Sequence, residues 1–227
     1  MNSMEYLSRV ESLIGSEALL RVRQARVIIF GVGGVGSWAA EALVRSGVRR
    51  LTIVDCDVVA PSNVNRQLMA MSSTLGQPKV EVLKARLMDI APDAEIVAHQ
   101  ELYSPDSADT FPLDDYDYVL DCIDSIAHKA LLIRRATASS AMFYSSMGAA
   151  RKLDPTRVRV AEFWQVEGCP LAAALRKRFR RSKEFPSKKF RCVYSDELLS
   201  ASGALMPVTA TFGLTLASLV LQNLIRQ

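Results

Sequence analysis

A glycine-rich turn between a strand and a helix constrains the fold of this chain more than any other feature. Residues 26–30 form an apolar run typical of a buried strand, and the sequence Gly-Val-Gly-Gly-Val-Gly follows at 31–36. Residues 37–46 then have the apolar face of a helix. Glycines in this context let backbone N–H groups approach a phosphate at the positive end of the helix. The turn therefore predicts a nucleotide-binding α/β domain.

Strand and helix patterns alternate from about residue 25 to 147, which predicts a Rossmann-like, mostly parallel sheet with helices on both faces. Further strands are expected at 51–54, 95–98, 116–122 and 141–145, and further helices at 77–90 and 125–138. A basic helix from Pro170 and an apolar C-terminal stretch follow, and we expect C-terminal antiparallel strands and helices to complete the fold. We predict one domain over 1–227, with a nucleotide-binding part at about 1–150 and a substrate-binding elaboration at about 151–227.

Composition excludes several other classes of protein. With 49% hydrophobic and 23% charged residues, the chain is neither disordered nor a small disulfide scaffold. Its four cysteines show no C-x-x-C spacing, which favours a reducing compartment. The N-terminal residues lack the apolar core of a signal peptide, and the uncharged run at 198–225 contains enough polar residues to indicate a buried helix. We expect a cytoplasmic protein without a membrane partner.

Charged side chains beyond the glycine turn indicate ATP rather than an intact dinucleotide. Asp55 ends the second strand, where a carboxylate can accept hydrogen bonds from ribose hydroxyls. Cleaving a triphosphate requires cations on the departing oxygens, which Arg66 and Lys79 could supply. Asp124 could hold Mg²⁺ through one carboxylate. Because strand ends converge on one sheet edge, Gly31, Asp55 and Asp124 would share a crevice.

Over about residues 9–150 the sequence resembles the ubiquitin-activating-type adenylating enzymes, the superfamily of MoeB, ThiF and HesA. The shared motifs are Gly31 to Gly36, Asp55, Asn63-x-x-Arg66-Gln67, Gly76-Gln77-Pro78-Lys79 and Asp121-x-x-Asp124. The resemblance implies that ATP and Mg²⁺ bind at Gly31, Gly33, Gly34, Gly36, Asp55, Asp57, Asn63, Arg66, Gln67, Lys79, Asp121 and Asp124. It also implies a metal ligand at Asp124, a homodimer in which Arg9 reaches the partner's site, and catalytic roles for Arg66, Lys79, Asp124 and Arg9.

Within that family the likeness to the branch that dehydrates threonylcarbamoyladenosine in tRNA runs almost end to end. Its motifs are residues 33–43, Asn63 to Gln67, Asp121 to Ser125, Asp154-Pro155-Thr156, Pro170-Leu171-Ala172 and residues 208–213. It implies adenylation of the threonyl carboxylate, ring closure by the neighbouring carbamoyl group, and release of AMP and pyrophosphate. It also leaves open a monovalent cation and a cysteine-desulfurase or sulfur-acceptor partner. The stretch between Glu197 and Pro207 looks shorter than is usual in such enzymes.

A basic segment from Arg176 to Arg191 fits an RNA substrate, because it holds nine basic residues and one acid, Glu184. Together with Phe179 and Phe190 it could neutralise phosphates and stack on a base. A solvated helix face is the alternative. The tRNA-binding residues we predict are Arg176, Lys177, Arg178, Arg180, Arg181, Lys183, Lys188 and Lys189.

Two other functions remain open at this point. The first is an activating enzyme for a ubiquitin-like or sulfur-carrier protein, although MoeB-like members carry paired C-x-x-C zinc motifs that are absent here. The second is a Rossmann-type NAD or FAD protein, against which Asn63, Arg66 and Lys79 argue. Cys169 precedes the basic helix, where positive neighbours could lower its pKa, but adenylation requires no enzymic nucleophile. Packing or solvent-facing roles are expected for Cys192, His99, His128, Trp38 and Trp164.

Overall fold

The computed structural model describes residues 5–227, which form one seven-stranded sheet with helices on both faces. The strands are β1 (Arg26–Phe30), β2 (Arg50–Val54), β3 (Glu95–His99), β4 (Tyr118–Asp121), β5 (Met142–Ser146), β6 (Val158–Glu162) and β7 (Arg191–Ser195). The α-helices are α1 (Ser8–Ile14), α2 (Ser16–Gln24), α3 (Gly36–Arg45), α4 (Lys79–Ile90), α5 (Ile126–Ala138), α6 (Pro170–Ser182) and α7 (Met206–Ile225).

The strand order is β3-β2-β1-β4-β5-β7-β6, and every pair is parallel except β6 with β7. All four residues of β4 are buried, as are the last four of β1 and of β2, because helices cover both faces of the sheet. One core cluster joins α2, α3, α4 and α7 to the sheet, and a second joins α5 and α6 to its other face. The predicted mostly parallel sheet, with an antiparallel C-terminal strand, is confirmed.

The boundaries of the elements before residue 147 differ from the sequence prediction by one or two residues, whereas the C-terminal helix begins at Met206 within the uncharged run at 198–225. Helix α4 begins at Lys79 rather than at 77 because Pro78 has an extended backbone and pairs with Val58. Strand β4 begins at Tyr118 rather than at 116 because a 3-10 turn over Leu113–Asp115 precedes it. Helices α1 and α2 lie before the first strand and have no counterpart in the sequence prediction.

Helix α7 is long and apolar enough to cross a membrane by length and composition, yet one face lies in the protein core. Val208, Phe212, Leu216 and Val220 are each fully buried. At Gly213 the helix passes so close to α3 that a Cβ atom would lie 2.3 Å from the Val35 carbonyl oxygen. Only glycine permits this approach. The predicted buried C-terminal helix is confirmed, and its packing brings the helix start against the glycine turn.

Candidate ATP and substrate site

A cavity of about 760 Å³ lies at the carboxyl ends of β1, β2, β4 and β5. The strand order reverses between β1 and β4, and such switch points form ligand crevices in open α/β sheets. The cavity brings together Gly31, Asp55 and Asp124, as the convergence of strand ends predicts. The predicted site residues that line it are Gly31, Gly33, Gly34, Asp55, Asp57, Asn63, Arg66, Gln67, Lys79 and Asp124.

Asp55 holds the glycine turn in place. One carboxylate oxygen accepts the Val32 N–H at 2.8 Å, and the other accepts the Asp57 N–H at 2.9 Å. Burial raises the pKa of the Asp55 carboxyl, an effect that these two hydrogen bonds and Lys79 oppose. Each carboxylate oxygen can accept more than one hydrogen bond, so the group can also take a ribose hydroxyl.

Gly36 serves the turn by packing and does not line the cavity, in contrast to the prediction that it binds the nucleotide. A Cβ atom there would lie 1.9 Å from the Gly31 carbonyl oxygen and 3.3 Å from the Cys122 Cβ. A side chain at this position would therefore displace the turn from the end of β4.

Lys79 and Asp57 form an ion pair at the cavity, with 2.7 Å between the Lys79 Nζ and an Asp57 carboxylate oxygen. The Lys79 side chain is 6% exposed and that of Asp57 is 61% exposed. The hydrogen bond from Lys79 lowers the pKa of the Asp57 carboxyl. The lysine is thus held by an acid that is largely in solvent, and a phosphate could replace that acid as its partner.

The segment from Asn63 to Gln67 forms another wall. The Asn63 side-chain oxygen accepts the Ala60 N–H at 3.0 Å, which closes a 3-10 turn. The Arg66 guanidinium donates to the Ser62 carbonyl at 2.7 Å and to the Asn65 side-chain oxygen at 3.0 Å. Both acceptors are neutral oxygens, so neither hydrogen bond neutralises the positive charge of Arg66.

The Gln67 side chain has an unpaired acceptor atom at this cavity. Its Oε1 atom is buried, and the atom has no hydrogen-bond partner within residues 5–227, while the residue lines the cavity wall. Buried polar atoms in proteins are nearly always paired, so an orphaned one at a cavity indicates a missing ligand or water. The donor groups of a nucleotide would satisfy it.

Asp121 does not line the cavity, contrary to the prediction that it binds the nucleotide. Its carboxylate is fully buried, lies 2.8 Å from the Lys129 Nζ and accepts the Ser145 hydroxyl at 2.7 Å. Burial raises the pKa of Asp121, and Lys129, Ser145 and the Ile123 amide oppose that rise. Lys129 also donates to the Ile123 carbonyl at 2.9 Å. This buried pair shapes the loop that leads to Asp124.

Asp124, the predicted metal ligand, is exposed on that loop and lines the cavity. A carboxylate oxygen is a ligand that Mg²⁺ accepts, with water and phosphate oxygens completing its octahedral shell. Within residues 5–227, the group of three possible metal ligands is Asp55, Cys56 and Asp57, which does not include Asp124.

Sequence reasoning missed several cavity residues. His128 was expected to pack or face solvent, but it lines the cavity from the first turn of α5, four residues after Asp124. Its place at the start of the helix that follows Asp124 is the one signal that could have identified it. The other residues that sequence reasoning did not place there include Glu101, Tyr103, Ser146, Met147, Gly148, Leu171, Gly203, Ala204 and Thr209.

The segment between Glu197 and Pro207 forms part of the cavity wall through Gly203 and Ala204. Main-chain hydrogen bonds join Gly203 and Leu199 to Arg151, at 2.8 Å and 3.0 Å. The Asn65 side chain donates to the Ala204 carbonyl at 2.9 Å. The segment therefore links the loop after β5 to the wall that carries Arg66.

The four cysteines are poor nucleophiles in this structure. Cys169 is 3% exposed and Cys192 is fully buried, and burial raises the pKa of Cys192. Burial also raises the pKa of Cys122. Cys56 is exposed near the cavity, but partial burial and the charges of Asp57 and Asp55 raise its pKa. The geometry gives no support to catalysis by Cys169.

The basic segment separates into surface cations and structural residues. Arg176 donates to the carbonyls of Phe163 and Val166, at 3.1 Å and 2.7 Å, and so is structural. The Lys188 Nζ donates to the Ser139 and Ala141 carbonyls. The predicted tRNA-binding residues that remain exposed without such a role are Lys177, Arg178, Arg180, Arg181, Lys183 and Lys189.

The two phenylalanines expected to stack on a base are in the core. Phe179 is 1% exposed and Phe190 is 5% exposed. The Phe190 ring stacks on that of buried Phe163, with centroids 4.9 Å apart. That prediction is wrong, because the two rings fill the space between α6 and the sheet.

The chain belongs to the ThiF family, whose model matches residues 6–227. It is 43% identical over 194 residues to the tRNA threonylcarbamoyladenosine dehydratase of Bacillus subtilis, covering 86% of this chain and 76% of that protein. It is 33% identical over 242 residues to the Escherichia coli enzyme of the same name, covering 93% of this chain and 90% of that protein.

A solved structure of a similar enzyme has the same fold as this chain. Escherichia coli TcdA, a tRNA N6-threonylcarbamoyladenosine dehydratase crystallised with ATP, matches with a TM-score of 0.91 and 34% identity. The match covers 98% of this chain and 94% of that one. The expected family resemblance is confirmed.

We predict that Lys129→Met destabilises the protein by about 3–5 kcal/mol, because it leaves the Asp121 carboxylate buried without a counter-charge. The free energy of unfolding in urea measures this. Lys129→Met combined with Asp121→Asn should recover part of the loss. Asp109→Asn, at an ion pair whose acid is 86% exposed, is the matched control and should cost less than about 1 kcal/mol. An unfolding midpoint for Lys129→Met equal to that of the wild type would contradict the assignment.

Proposed function

We propose that this chain is an ATP-dependent tRNA threonylcarbamoyladenosine dehydratase. The proposal is carried by similarity over nearly the whole chain to enzymes of that name, together with a cavity that surrounds the glycine turn with Arg66, Lys79 and Asp124. ATP is the nucleotide in the matching TcdA crystal, and a further TcdA crystal contains AMP. These are the first substrate and the final nucleotide product of the reaction.

The chemistry begins at a carboxylate, which is a poor electrophile. An oxygen of the threonyl carboxylate attacks the α-phosphate of ATP, and pyrophosphate leaves. The adenylate then makes the acyl carbon reactive, the neighbouring carbamoyl group closes the ring, and AMP departs with the former carboxylate oxygen. The net change in the nucleoside is the loss of one water. No protein nucleophile is needed, in agreement with the burial of Cys169 and Cys192.

The protein contributes positioning and charge. Backbone groups of the glycine turn lie beside the phosphates, and Asp55 holds the ribose. Lys79 exchanges its bond to Asp57 for a pyrophosphate oxygen, and Arg66 adds a second cation there. Asn63 orients the phosphate chain, and the Gln67 Oε1 accepts a hydrogen bond from a donor group of the nucleotide. Mg²⁺ held at Asp124 would neutralise charge on the phosphates.

We further propose a homodimer, in which Arg9 acts in the partner's site. Arg9 is exposed on α1 and does not line the cavity of its own chain. A cytoplasmic location remains a prediction from the cysteine spacing and the N-terminal residues. A cysteine-desulfurase or sulfur-acceptor partner and a monovalent cation remain predictions from the family resemblance. A role as activating enzyme for a carrier protein predicts instead that a protein with a Gly-Gly end stimulates ATP turnover.

Arg66→Ala should lower ATP–pyrophosphate exchange in the presence of modified tRNA by about 10²–10³-fold, because a cation on the departing oxygens is removed. Arg50→Ala is the control, since Arg50 is exposed at the opposite end of β2 from the cavity. Unchanged exchange by Arg66→Ala would remove this residue from the site. Exchange that ignores tRNA but responds to a Gly-Gly carrier protein would overturn the tRNA assignment.

Co-expression of Arg9→Ala and Arg66→Ala chains tests the shared site. Each variant alone should be nearly inactive. If Arg9 acts across the dimer, each mixed dimer regains one site with both arginines, so random assembly restores roughly a quarter of wild-type activity. If Arg9 acts within its own chain, mixing restores nothing.

Reversing Lys177, Arg178 and Arg181 to Glu should weaken tRNA binding and lower the slope of log Kd against log salt concentration. The expected change is about one unit for each RNA phosphate that the helix no longer neutralises. The control reverses Arg50, Lys84 and Arg226, which gives the same net charge outside α6. Equal slopes for the two triple variants would mean that this helix does not bind RNA phosphates.

A further inference from the structure

An exposed aromatic pair lies beside the cationic end of α6. Trp164 is 37% exposed and Phe185 is 51% exposed. Their ring centroids are 6.1 Å apart, with 43° between the ring planes. The Arg180 guanidinium lies 6.0 Å from the centre of the Trp164 ring. Neither ring has a part in the ATP cavity.

Trp164 is held rigidly in this position. It lies in a 3-10 turn whose preceding residue, Glu162, accepts the Trp164 N–H at 3.1 Å. Its ring packs edge-on against Phe163, at 5.2 Å between centroids, and Phe163 is fully buried. The buried Phe163 ring therefore supports one side of the indole, which limits the side-chain entropy lost when a planar partner binds.

Phe185 reaches the tryptophan because α6 ends with a reversal of the chain. Lys183, at the C-cap, has the left-handed backbone conformation with φ +59°. The nearby acid Glu184 is occupied by an ion pair with Arg134. Arg180 is therefore the cation that lies over the Trp164 ring, and Lys177 and Arg181 are exposed on the same helix.

Exposed rings among surface cations fit a single-stranded nucleic acid. Each base has a flat face that stacks on an aromatic ring, and its phosphate binds a nearby cation. Aromatic residues and arginine are also common in protein–protein interfaces, so the choice of RNA rests on the charge of the neighbouring segment, which has nine basic residues and one acid over 176–191. We infer that Trp164 and Phe185 form a stacking site for one unpaired base of the tRNA. This inference rests on the proposed function.

The position of α6 connects this stacking site to the reaction. Leu171, in the first turn of the helix, lines the ATP cavity, and its Cβ lies 3.6 Å from the position that a Cβ on Gly148 would occupy. Arg180 lies nine residues further on, about 14 Å along the helix axis at 1.5 Å per residue. A loop that places its modified adenosine in the cavity can thus reach the rings with another of its bases.

The experiment measures binding of an RNA stem-loop that carries threonylcarbamoyladenosine in its loop. Trp164→Leu and Phe185→Leu should each raise its Kd about tenfold, because stacking is lost. Trp164→Phe and Phe185→Tyr keep a ring and should bind nearly as the wild type does. Since leucine changes no charge, the salt slope should stay at the wild-type value, unlike that of the Lys177, Arg178 and Arg181 reversal. The Trp164 fluorescence should be quenched by the RNA, and Trp164→Phe should lack that change.

Several results would overturn the inference. Unchanged Kd in both leucine variants would do so, as would an equal loss in the leucine and aromatic variants. A shift in oligomeric state on sedimentation with unchanged RNA affinity would assign the rings to a second copy of the chain. Urea unfolding midpoints equal to that of the wild type show that the variants are folded. Failure of wild-type protein to bind the modified RNA would instead overturn the proposed function itself.

Discussion

The site depends on a charge pair at the end of β4 that has no contact with solvent. Asp121 and Lys129 are both fully buried, so each requires the other and the hydrogen bonds from Ser145 and Ile123. The pair joins the end of a central strand to α5, and the loop between them carries Asp124. Because Cys122 lies on the same loop and touches the glycine turn, the nucleotide and metal sides of the cavity share one support.

A triphosphate can bind in the cavity without the cost of removing a further lysine from water. Lys79 is already desolvated and paired with an acid that is mostly exposed. A phosphate that replaces Asp57 returns that carboxylate to water, where its charge is well solvated. Arg66 donates to neutral oxygens and keeps its attraction for an anion. The unpaired Gln67 Oε1 is an acceptor, so it would pair with a donor of the ribose or the base and not with the phosphates.

Local patterns predicted the strands of the sheet because apolar runs and glycines report directly on burial and backbone conformation. Strand β1 has the predicted bounds, and the strand ends converge as expected. The errors arose where the direction of a side chain decides whether a residue lines the cavity, faces solvent or packs in the core. Asp121 looks like Asp124 in sequence, but its neighbour in space, Lys129, is on the following helix. For Phe179, the helical spacing from Ala172 through Leu175 would have indicated that the phenylalanine ring is buried.

The same limit explains the aromatic residues of the RNA surface. Phe179 and Phe190 interleave with cations in sequence, whereas Trp164 lies in a separate 3-10 turn, before α6 begins. Only the three-dimensional reversal after Lys183 brings Phe185 to the tryptophan. Chain order therefore identified the positive charge of this surface but not the rings that accompany it.

The cysteines carry a consequence for the behaviour of the protein under oxidative stress. Thiolates, not thiols, react with peroxide and with alkylating reagents. Cys169 and Cys192 are shielded by the core, and partial burial together with the neighbouring acids raises the pKa of Cys56, the exposed cysteine at the cavity mouth. The enzyme should therefore keep its activity through peroxide exposures that silence adenylating enzymes with a reactive thiol.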